Sequence, residues 1–237
     1  MEGWHIAIFI ALLIVVWLGV AIHNLYLISR VTSFSRGDRS ERRVVLKLLK
    51  LGVHPQAIFH DLYLSKNDGT YTQIDLAVAT PQGIIVIEVK DYAGLIYGHS
   101  FSDKWLQILA GGRKKHKFYN PVKQNAGHIY GLKRHLAKCG KIQYHSIVVF
   151  DGNCRLKNIE AVPDDVYVVR FNKLAWTIRR KHRRDSWTHY TDKGEIMRVL
   201  TEAVANGDNE EIVKDHVKNV KRHVFFKRFR WITRWFR

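Results

Sequence analysis

The sequence predicts an α/β protein in which a mixed sheet is flanked by helices and preceded by one transmembrane helix. Three observations favour this fold class. Residues 6–28 are almost wholly apolar. Several later runs are rich in Ile and Val, as strands are, and they alternate with segments whose apolar residues recur at helical spacing. With 237 residues, 46% hydrophobic and 25% charged, the chain suits one globular domain with appendages.

The N-terminal apolar run is long enough for a membrane anchor. As a helix, residues 6–28 would extend about 34 Å, which covers the hydrocarbon core of a bilayer. Trp4 and Tyr26 fall where interfacial aromatic residues belong. A cleaved signal peptide is the alternative, but no Lys or Arg precedes the run and no clear small-x-small cleavage site follows it. We therefore expect residues 1–30 to anchor the chain.

The charges that flank this run predict its orientation. Only Glu2 precedes it, whereas Arg30, Arg36 and Arg39 follow closely. The positive-inside rule therefore places the N-terminus outside and the bulk of the chain in the cytoplasm. Cys139 and Cys154 lack metal-ligand spacing, and two cysteines form no disulfide framework, so we expect both to be reduced.

The remaining elements follow from apolar periodicity and turn residues. Residues 31–40 are expected to be a linker, with Ser40 or Asp38 as the cap of the next helix. Helices are predicted over residues 41–51, 121–138, 171–181 and 194–205. Strands are predicted over residues 57–64, 72–80, 83–91, 94–98, 146–150 and 166–170.

Two of these strands form a hairpin that carries a cluster of charges. If Thr80 pairs with Gly83 across the turn, Asp75 lies opposite Glu88. A one-residue bulge at Gly83 would instead place Asp75 beside Val89. Because side chains in a strand repeat every two residues, Glu88 and Lys90 share a face. Two carboxylates and an ammonium are thus expected to converge among apolar residues.

A divalent metal site explains this convergence. Carboxylates, water and a substrate phosphate are the oxygen ligands that Mg²⁺ prefers. A neighbouring lysine can hold or deprotonate the water that attacks phosphorus. The alternative is an exposed edge strand with an ordinary Glu/Lys pair. Asp75 across the turn, and Gln73 two residues before it, favour the site.

Three motifs resemble the nuclease-related domain (NERD) of the PD-(D/E)XK nuclease superfamily. They are Gln73-Ile-Asp75, the run Gly83-Ile-Ile-Val-Ile-Glu-Val-Lys90, and Asn120-Pro-Val-Lys-Gln124. They occur in the order found in the family, and the resemblance extends over residues 37–180. It implies a restriction-endonuclease-like core and Mg²⁺ or Mn²⁺ as the cofactor.

The resemblance also implies roles for individual residues. Asp75 and Glu88 would bind the metal, and Lys90 would be the catalytic lysine. Glu41, in the first predicted helix, would be an accessory acid, while Gln73 and Gln124 would be polar supports. His128, one turn after Gln124, is interpreted as a packed or solvated histidine and not as a catalytic group.

The formal net charge of +18 indicates a polyanionic partner, either nucleic acid or an anionic membrane surface. Residues 111–117 are interpreted as a flexible basic loop that contacts the nucleic-acid backbone. Residues 212–237 combine basic and aromatic residues, and as a helix they would lie on membrane lipid. A nucleic-acid clamp that stacks bases is the rival interpretation of this tail.

These patterns predict a membrane-anchored, cytoplasm-facing, Mg²⁺-dependent nuclease that acts on DNA. One alternative is a catalytically inactive membrane scaffold that binds nucleic acid or a protein partner, and a weaker one is a polyphosphate or nucleotide hydrolase. The expected divisions are the anchor (1–30), a linker (31–40), the nuclease-related domain (41–182), a helical extension (183–211) and the basic aromatic tail (212–237).

Overall fold

The computed structural model describes residues 3–184 and 190–220, and its first element is the expected apolar helix. Helix α1 is Gly3–Ser29. Within Trp4–Ser29, an 18-residue window has a mean hydropathy of 2.8 and none of it is buried, whereas Ile28, near the end of the helix, is buried. Trp17 is 68% exposed. By length and composition, α1 is able to cross a membrane.

All the predicted helices and strands are present, and three further strands occur among the described residues. In chain order they are α2 (Arg39–Lys50), β1 (Ile58–Ser65), β2 (Tyr71–Thr80), β3 (Gly83–Asp91), β4 (Gly94–His99), β5 (Lys104–Leu109), β6 (Lys114–Tyr119), α3 (Pro121–His135), β7 (Tyr144–Asp151), β8 (Cys154–Glu160), β9 (Val166–Arg170), α4 (Phe171–Arg184) and α5 (Lys193–Ala205). Residues 210–220 are also helical. Asp38 is the cap of α2, since its side chain accepts a hydrogen bond from the Glu41 amide.

The strands form two mixed sheets where the sequence predicted one. The first sheet has the order β1-β2-β3-β7-β9, and the second has the order β6-β5-β4-β8. Strands β7 and β9 run parallel to β3, and β8 runs parallel to β4. Strands β4 and β8 follow closely on β3 and β7, and Gly94 and Gly152 adopt positive φ values where the chain passes between the sheets. The predicted mixed α/β fold with flanking helices is confirmed, and it is consistent with a nuclease-like fold.

Helices cover both faces of the first sheet. Val86 of β3 packs in a cluster with residues of α3 and α5, such as Leu132 and Leu200. Its neighbour Ile87 packs on the other face, in a cluster with Val45 of α2 and Leu174 of α4. Because β3 is buried on both faces, its sequence is a nearly continuous run of Ile and Val. Cys139 and Cys154 are free and lie in different clusters.

One prediction about the second sheet was wrong, and two of its strands, β5 and β8, were not predicted. Residues 111–117 were expected to be a loop, but Lys114–Tyr119 is strand β6, an edge strand paired with β5. The turn at Gly111 and Gly112 reverses the chain, and lysines are well tolerated on an exposed edge strand. Strand β8 was not predicted, although Cys154–Glu160 alternates between buried and charged positions at its start. Within the predicted tail, residues 221–237 lie outside the described residues.

Candidate active site

The hairpin of β2 and β3 has the predicted register. Thr80 pairs with Gly83, and the antiparallel ladder continues as far as Leu76 and Ile87. It then stops one pair before Asp75, so the two strands diverge where the charged residues begin. The simple register is therefore confirmed, and the alternative with a bulge at Gly83 is excluded.

Asp75 lies at an interruption on both sides of β2. Asp61, which the β1–β2 register would place opposite Asp75, has φ +56 and is absent from the ladder. On the other side, Asp75 Oδ2 accepts a hydrogen bond from the backbone amide of Val89 at 2.7 Å. The Asp75 carboxylate thus bridges to β3 in place of a backbone group.

Glu88 is almost fully buried, and it has two cationic or polar partners. Lys90 Nζ lies 2.5 Å from Glu88 Oε1. His128 Nε2 lies 3.2 Å from Glu88 Oε2 and donates a hydrogen bond to it, because an ionised carboxylate only accepts. His128 Nδ1 lies 3.3 Å from Thr72 Oγ1. These contacts offset the free-energy cost of burying the Glu88 charge.

The environments of the two carboxyl groups shift their pKa values in opposite directions. Burial, followed by the negative charges of Glu88 and Glu41, raises the pKa of Asp75 well above its ordinary value. Burial also acts to raise the pKa of Glu88, but the hydrogen bond from His128 and the charge of Lys90 outweigh it, so the net pKa is lowered. Opposite shifts of neighbouring carboxyl groups are typical of acid–base sites.

Lys90 remains a cation in this site. Burial acts to lower the pKa of Lys90, but the negative charges of Glu88 and Asp75 outweigh it, and the net pKa is raised. The lysine side chain is 18% exposed, so its ammonium group is close to solvent without being fully solvated. It is therefore a charged hydrogen-bond donor beside the two carboxylates.

Glu41 belongs to the same electrostatic environment. It lies in the first turn of α2, and its Oε2 is 3.0 Å from His60 Nε2. The other ring nitrogen of His60 lies 2.7 Å from Thr32 Oγ1. The chain must approach closely at Gly37, where φ is +62 and a Cβ would overlap both the Glu41 carboxylate and the His60 ring. The negative charge of Glu41 also acts to raise the pKa of Asp75, after burial and the charge of Glu88.

The two glutamines lie in different surroundings from one another. Gln73 Nε2 donates a hydrogen bond to Asp61 Oδ1 at 2.7 Å, and Asp61 in turn forms an ion pair with Arg36 at 3.3 Å. Gln73 therefore supports Asp61 and has no hydrogen bond to Asp75 or Glu88. Gln124 lies on α3 one turn before His128, and no described residue forms a hydrogen bond with its side chain. The roles of both glutamines stay predictions.

The two carboxylates of Asp75 and Glu88 fit Mg²⁺ or Mn²⁺ better than a metal whose ligands all come from protein side chains. Over residues 3–184 and 190–220, no three His, Cys, Asp or Glu side chains are grouped to hold a metal. Mg²⁺ commonly binds through one or two carboxylates and takes its other ligands from water and substrate phosphate. Asp75 and Glu88 would supply two carboxylates at the point where β2 and β3 diverge.

His128 was expected to be a packed or solvated histidine, and it is packed, at 5% exposure. Its contact with Glu88 was not predicted. The signal that points to it is the spacing of Gln124 and His128, which puts both on one face of α3. His60 and Asp61 were also not singled out, although each lies beside a predicted site residue.

Comparisons with known proteins agree with the motifs. The family model of the nuclease-related domain matches residues 36–151. An uncharacterized protein of Bacillus anthracis is 29% identical over 188 residues, which cover 77% of this chain and 82% of that protein. No solved structure matches the chain. The matched segment begins before Glu41 and includes Asp75, Glu88 and Lys90. Residues 36–151 therefore resemble a nuclease-related domain.

Proposed function

We propose that this chain is a membrane-anchored, metal-dependent nuclease of the PD-(D/E)XK type that hydrolyses phosphodiester bonds in DNA. The proposal depends chiefly on Asp75, Glu88 and Lys90, which converge at the divergence of β2 and β3 within the nuclease-related domain. Burying such charges costs free energy that a protein with a purely structural role has no need to spend. A metal-dependent reaction gives these charges a use.

Each residue then has a chemical role. Mg²⁺ or Mn²⁺ held by Asp75 and Glu88 would stabilise the negative charge that develops on the phosphate. Lys90, whose pKa is raised, stays protonated at neutral pH and serves to orient water or to donate a hydrogen bond, and not as a general base. His128 holds the Glu88 carboxylate in place through its 3.2 Å hydrogen bond. Glu41 is an accessory acid beside Asp75.

The proposal includes a location. Helix α1 would hold the chain in the membrane, and the arginines that follow it would keep the nuclease-related domain in the cytoplasm. There the domain would meet DNA, which the net charge of +18 favours as a partner. The basic residues after 211 would add a second contact with membrane lipid.

The experiment is a cleavage assay with the full chain in detergent. Labelled DNA is incubated with Mg²⁺, with Mn²⁺ or with a chelator, and Asp75→Asn, Glu88→Gln and Lys90→Ala are compared with the wild type. We expect each substitution to slow cleavage by on the order of 10²-fold or more. Asp164→Asn, at an exposed position, is the matched control and should cleave normally.

Two outcomes would contradict the proposal. The first is normal cleavage by Asp75→Asn, with its fold checked by thermal unfolding. The second is a wild-type protein that binds DNA and cleaves no polynucleotide with any divalent metal, which would favour the inactive scaffold.

A further inference from the structure

The second sheet has an outer face with a regular pattern of charge. Two rows of residues cross β6, β5, β4 and β8, and each row has a basic residue at both ends and apolar or tyrosine residues between them. The rows are Lys117–Leu106–Tyr97–Lys157 and Lys115–Ile108–Leu95–Arg155. These eight residues are called the outer face below. The basic margins are separated by about 14 Å, the width of three strand spacings.

The other face of this sheet is buried, whereas the outer face has no cover within the described residues. Ile96 and Trp105 point inward and pack in a cluster with Phe150. The four basic residues of the outer face are exposed, and the four central ones are partly exposed. None of the central four belongs to a core cluster of the described residues. The described part of the chain therefore leaves the outer face open.

The charge of this sheet is strongly one-sided. Its strands contain a single acidic residue, Glu160, at the end of β8. They contain six basic residues, which are Lys104, Lys114, Lys115, Lys117, Arg155 and Lys157. None of the six forms an ion pair with a described residue, unlike Lys123, which pairs with Asp103. Uncompensated positive charge in this arrangement is complementary to a polyanion.

Exposed aromatic rings lie at one end of the same sheet. Phe101, in the loop between β4 and β5, is 76% exposed, more than any other large hydrophobic residue described. The loop is held in place because Asn120 Nδ2 donates hydrogen bonds to the carbonyl oxygens of Ser100 and Ser102, both at 2.7 Å. Tyr119, at the end of β6, is 47% exposed. Exposed rings on a fixed backbone beside basic residues are suited to stack on bases.

The sheet is connected to the candidate active site at both ends. Strand β4 begins at Gly94, so at most about 14 Å of extended chain separates it from Lys90. At the other end, β6 leads through Asn120 into α3, which carries His128 to Glu88. The end of the sheet at Gly94 therefore lies within about 14 Å of Lys90.

We propose that the outer face, together with Phe101, binds single-stranded DNA and leads it to the site of Asp75 and Glu88. Phosphates contact the basic margins, and bases lie over the central residues and against Phe101. A duplex would not use these central residues, because its base faces are already stacked inside the helix. The part of the inference that concerns delivery of substrate rests on the proposed nuclease function, whereas binding itself does not require cleavage.

The test measures binding of labelled oligo(dT) to the full chain in detergent, by fluorescence anisotropy in a chelator so that cleavage does not interfere. The test variant is Lys115→Glu/Lys117→Glu. Its control is Lys138→Glu/Lys141→Glu, which makes the same change of charge at exposed residues. These two lysines precede β7, whereas β8 of the outer face follows the other end of β7.

We expect the test variant to bind about tenfold more weakly than the control. The slope of log affinity against log salt concentration should become less steep by about 1.4, which is the value for two lost contacts with single-strand phosphates. Phe101→Ala should lose about tenfold in affinity without a change in the salt dependence, because stacking is not ionic. For the test variant and for Phe101→Ala, the affinity for duplex DNA should fall less than the affinity for oligo(dT).

Footprinting separates DNA from lipid as the occupant of the outer face. With the full chain in nanodiscs, oligo(dT) should protect Lys115 and Lys117 from an amine-reactive label, and phosphatidylserine alone should not. Protection by phosphatidylserine without DNA would assign this face to the membrane and overturn the proposal. Equal affinity of the test and control variants for oligo(dT), or a larger loss for duplex than for oligo(dT), would also overturn it.

Failure of this inference differs from failure of the proposed function. A chain that binds oligo(dT) through Lys115 and Lys117 but never cleaves DNA keeps the binding site and loses the nuclease function. A chain that cleaves through Asp75 but whose DNA binding is indifferent to both lysines keeps the nuclease function and loses this binding site.

Discussion

At the scale of single residues, Asp75 and Glu88 are similar carboxyl groups in unlike surroundings. Lys90 and His128 compensate the charge of Glu88, whereas Asp75 has burial and two negative neighbours acting against its ionisation. Since Asp75 keeps its proton to higher pH in the folded protein than in the unfolded one, its ionisation destabilises the metal-free fold. Glu88 behaves in the opposite way, because its lowered pKa stabilises the fold at neutral pH.

This contrast predicts substitutions with opposite effects on the metal-free protein. At neutral pH, Asp75→Asn should raise Tm, and the gain should grow as the pH rises through the elevated pKa of Asp75. Glu88→Gln should lower stability by about 3 kcal/mol, because Lys90 loses its closest counterion. That loss should shrink as the pH falls through the lowered pKa of Glu88. Thermal unfolding across pH measures both effects, and a Tm that falls in Asp75→Asn would contradict the assignment.

His128 has a testable role through Glu88. Its hydrogen bond lowers the pKa of Glu88, so His128→Ala should raise that pKa. In thermal unfolding followed across pH, the stability that ionised Glu88 contributes should then be lost at a higher pH than in the wild type. His135→Ala is the matched control, because His135 lies on the same helix and contacts Ser65. An unchanged pH profile in His128→Ala would indicate that His128 only fills space.

The sequence predicted the carboxylates and the lysine of the candidate site because a tight turn fixes their register locally. Thr80 and Gly83 set the pairing, and period-two alternation then places Glu88 and Lys90 on one face. Contacts made through tertiary structure were beyond this reasoning. His128 contacts Glu88 although the two residues are 40 positions apart in the chain. Gln73 forms a hydrogen bond with Asp61, whose positive φ interrupts β1, and no sequence pattern predicts that interruption.

At the scale of elements, the turn between β2 and β3 controls the site. Gly83 has φ +127, and a Cβ there would overlap the backbone carbonyl of Gln143. Gly83→Ala should therefore destabilise the protein by on the order of 1–3 kcal/mol, measured by chemical denaturation. Gly127→Ala, in α3 where a Cβ meets no atom within 4 Å, should instead stabilise by up to about 1 kcal/mol. Equal changes in the free energy of unfolding for Gly83→Ala and Gly127→Ala would show that the turn at Gly83 tolerates a side chain.

Strands of the second sheet were harder to predict than those of the first. Strands buried on both faces have continuous Ile and Val runs, which are easily recognised. Strands β6 and β8 are half-exposed and rich in lysine, so their alternation resembles a solvated loop. Trp105 and Phe118, which pair across β5 and β6, were the available sign that a basic segment belongs to a sheet.

At the scale of the whole molecule, the arrangement of charge around α1 predicts topology. In cells, the chain should resist extraction by carbonate, and residues 31–237 should be protected from external protease in spheroplasts, because arginines follow α1 and none precedes it. A cytoplasmic reporter fused after Arg237 should stay active. Digestion of the domain from outside would reverse the proposed orientation.

Metal binding to the full chain tests the central claim most directly. Mn²⁺ titrations by calorimetry, in buffers of different ionisation enthalpy, report affinity and the number of protons released. The wild type should bind Mn²⁺ more tightly as the pH rises and release up to one proton, because Asp75 must ionise to become a ligand. Asp75→Asn should bind far more weakly and release none. Equal Mn²⁺ affinity in the wild type and Asp75→Asn would contradict a metal site at Asp75 and Glu88.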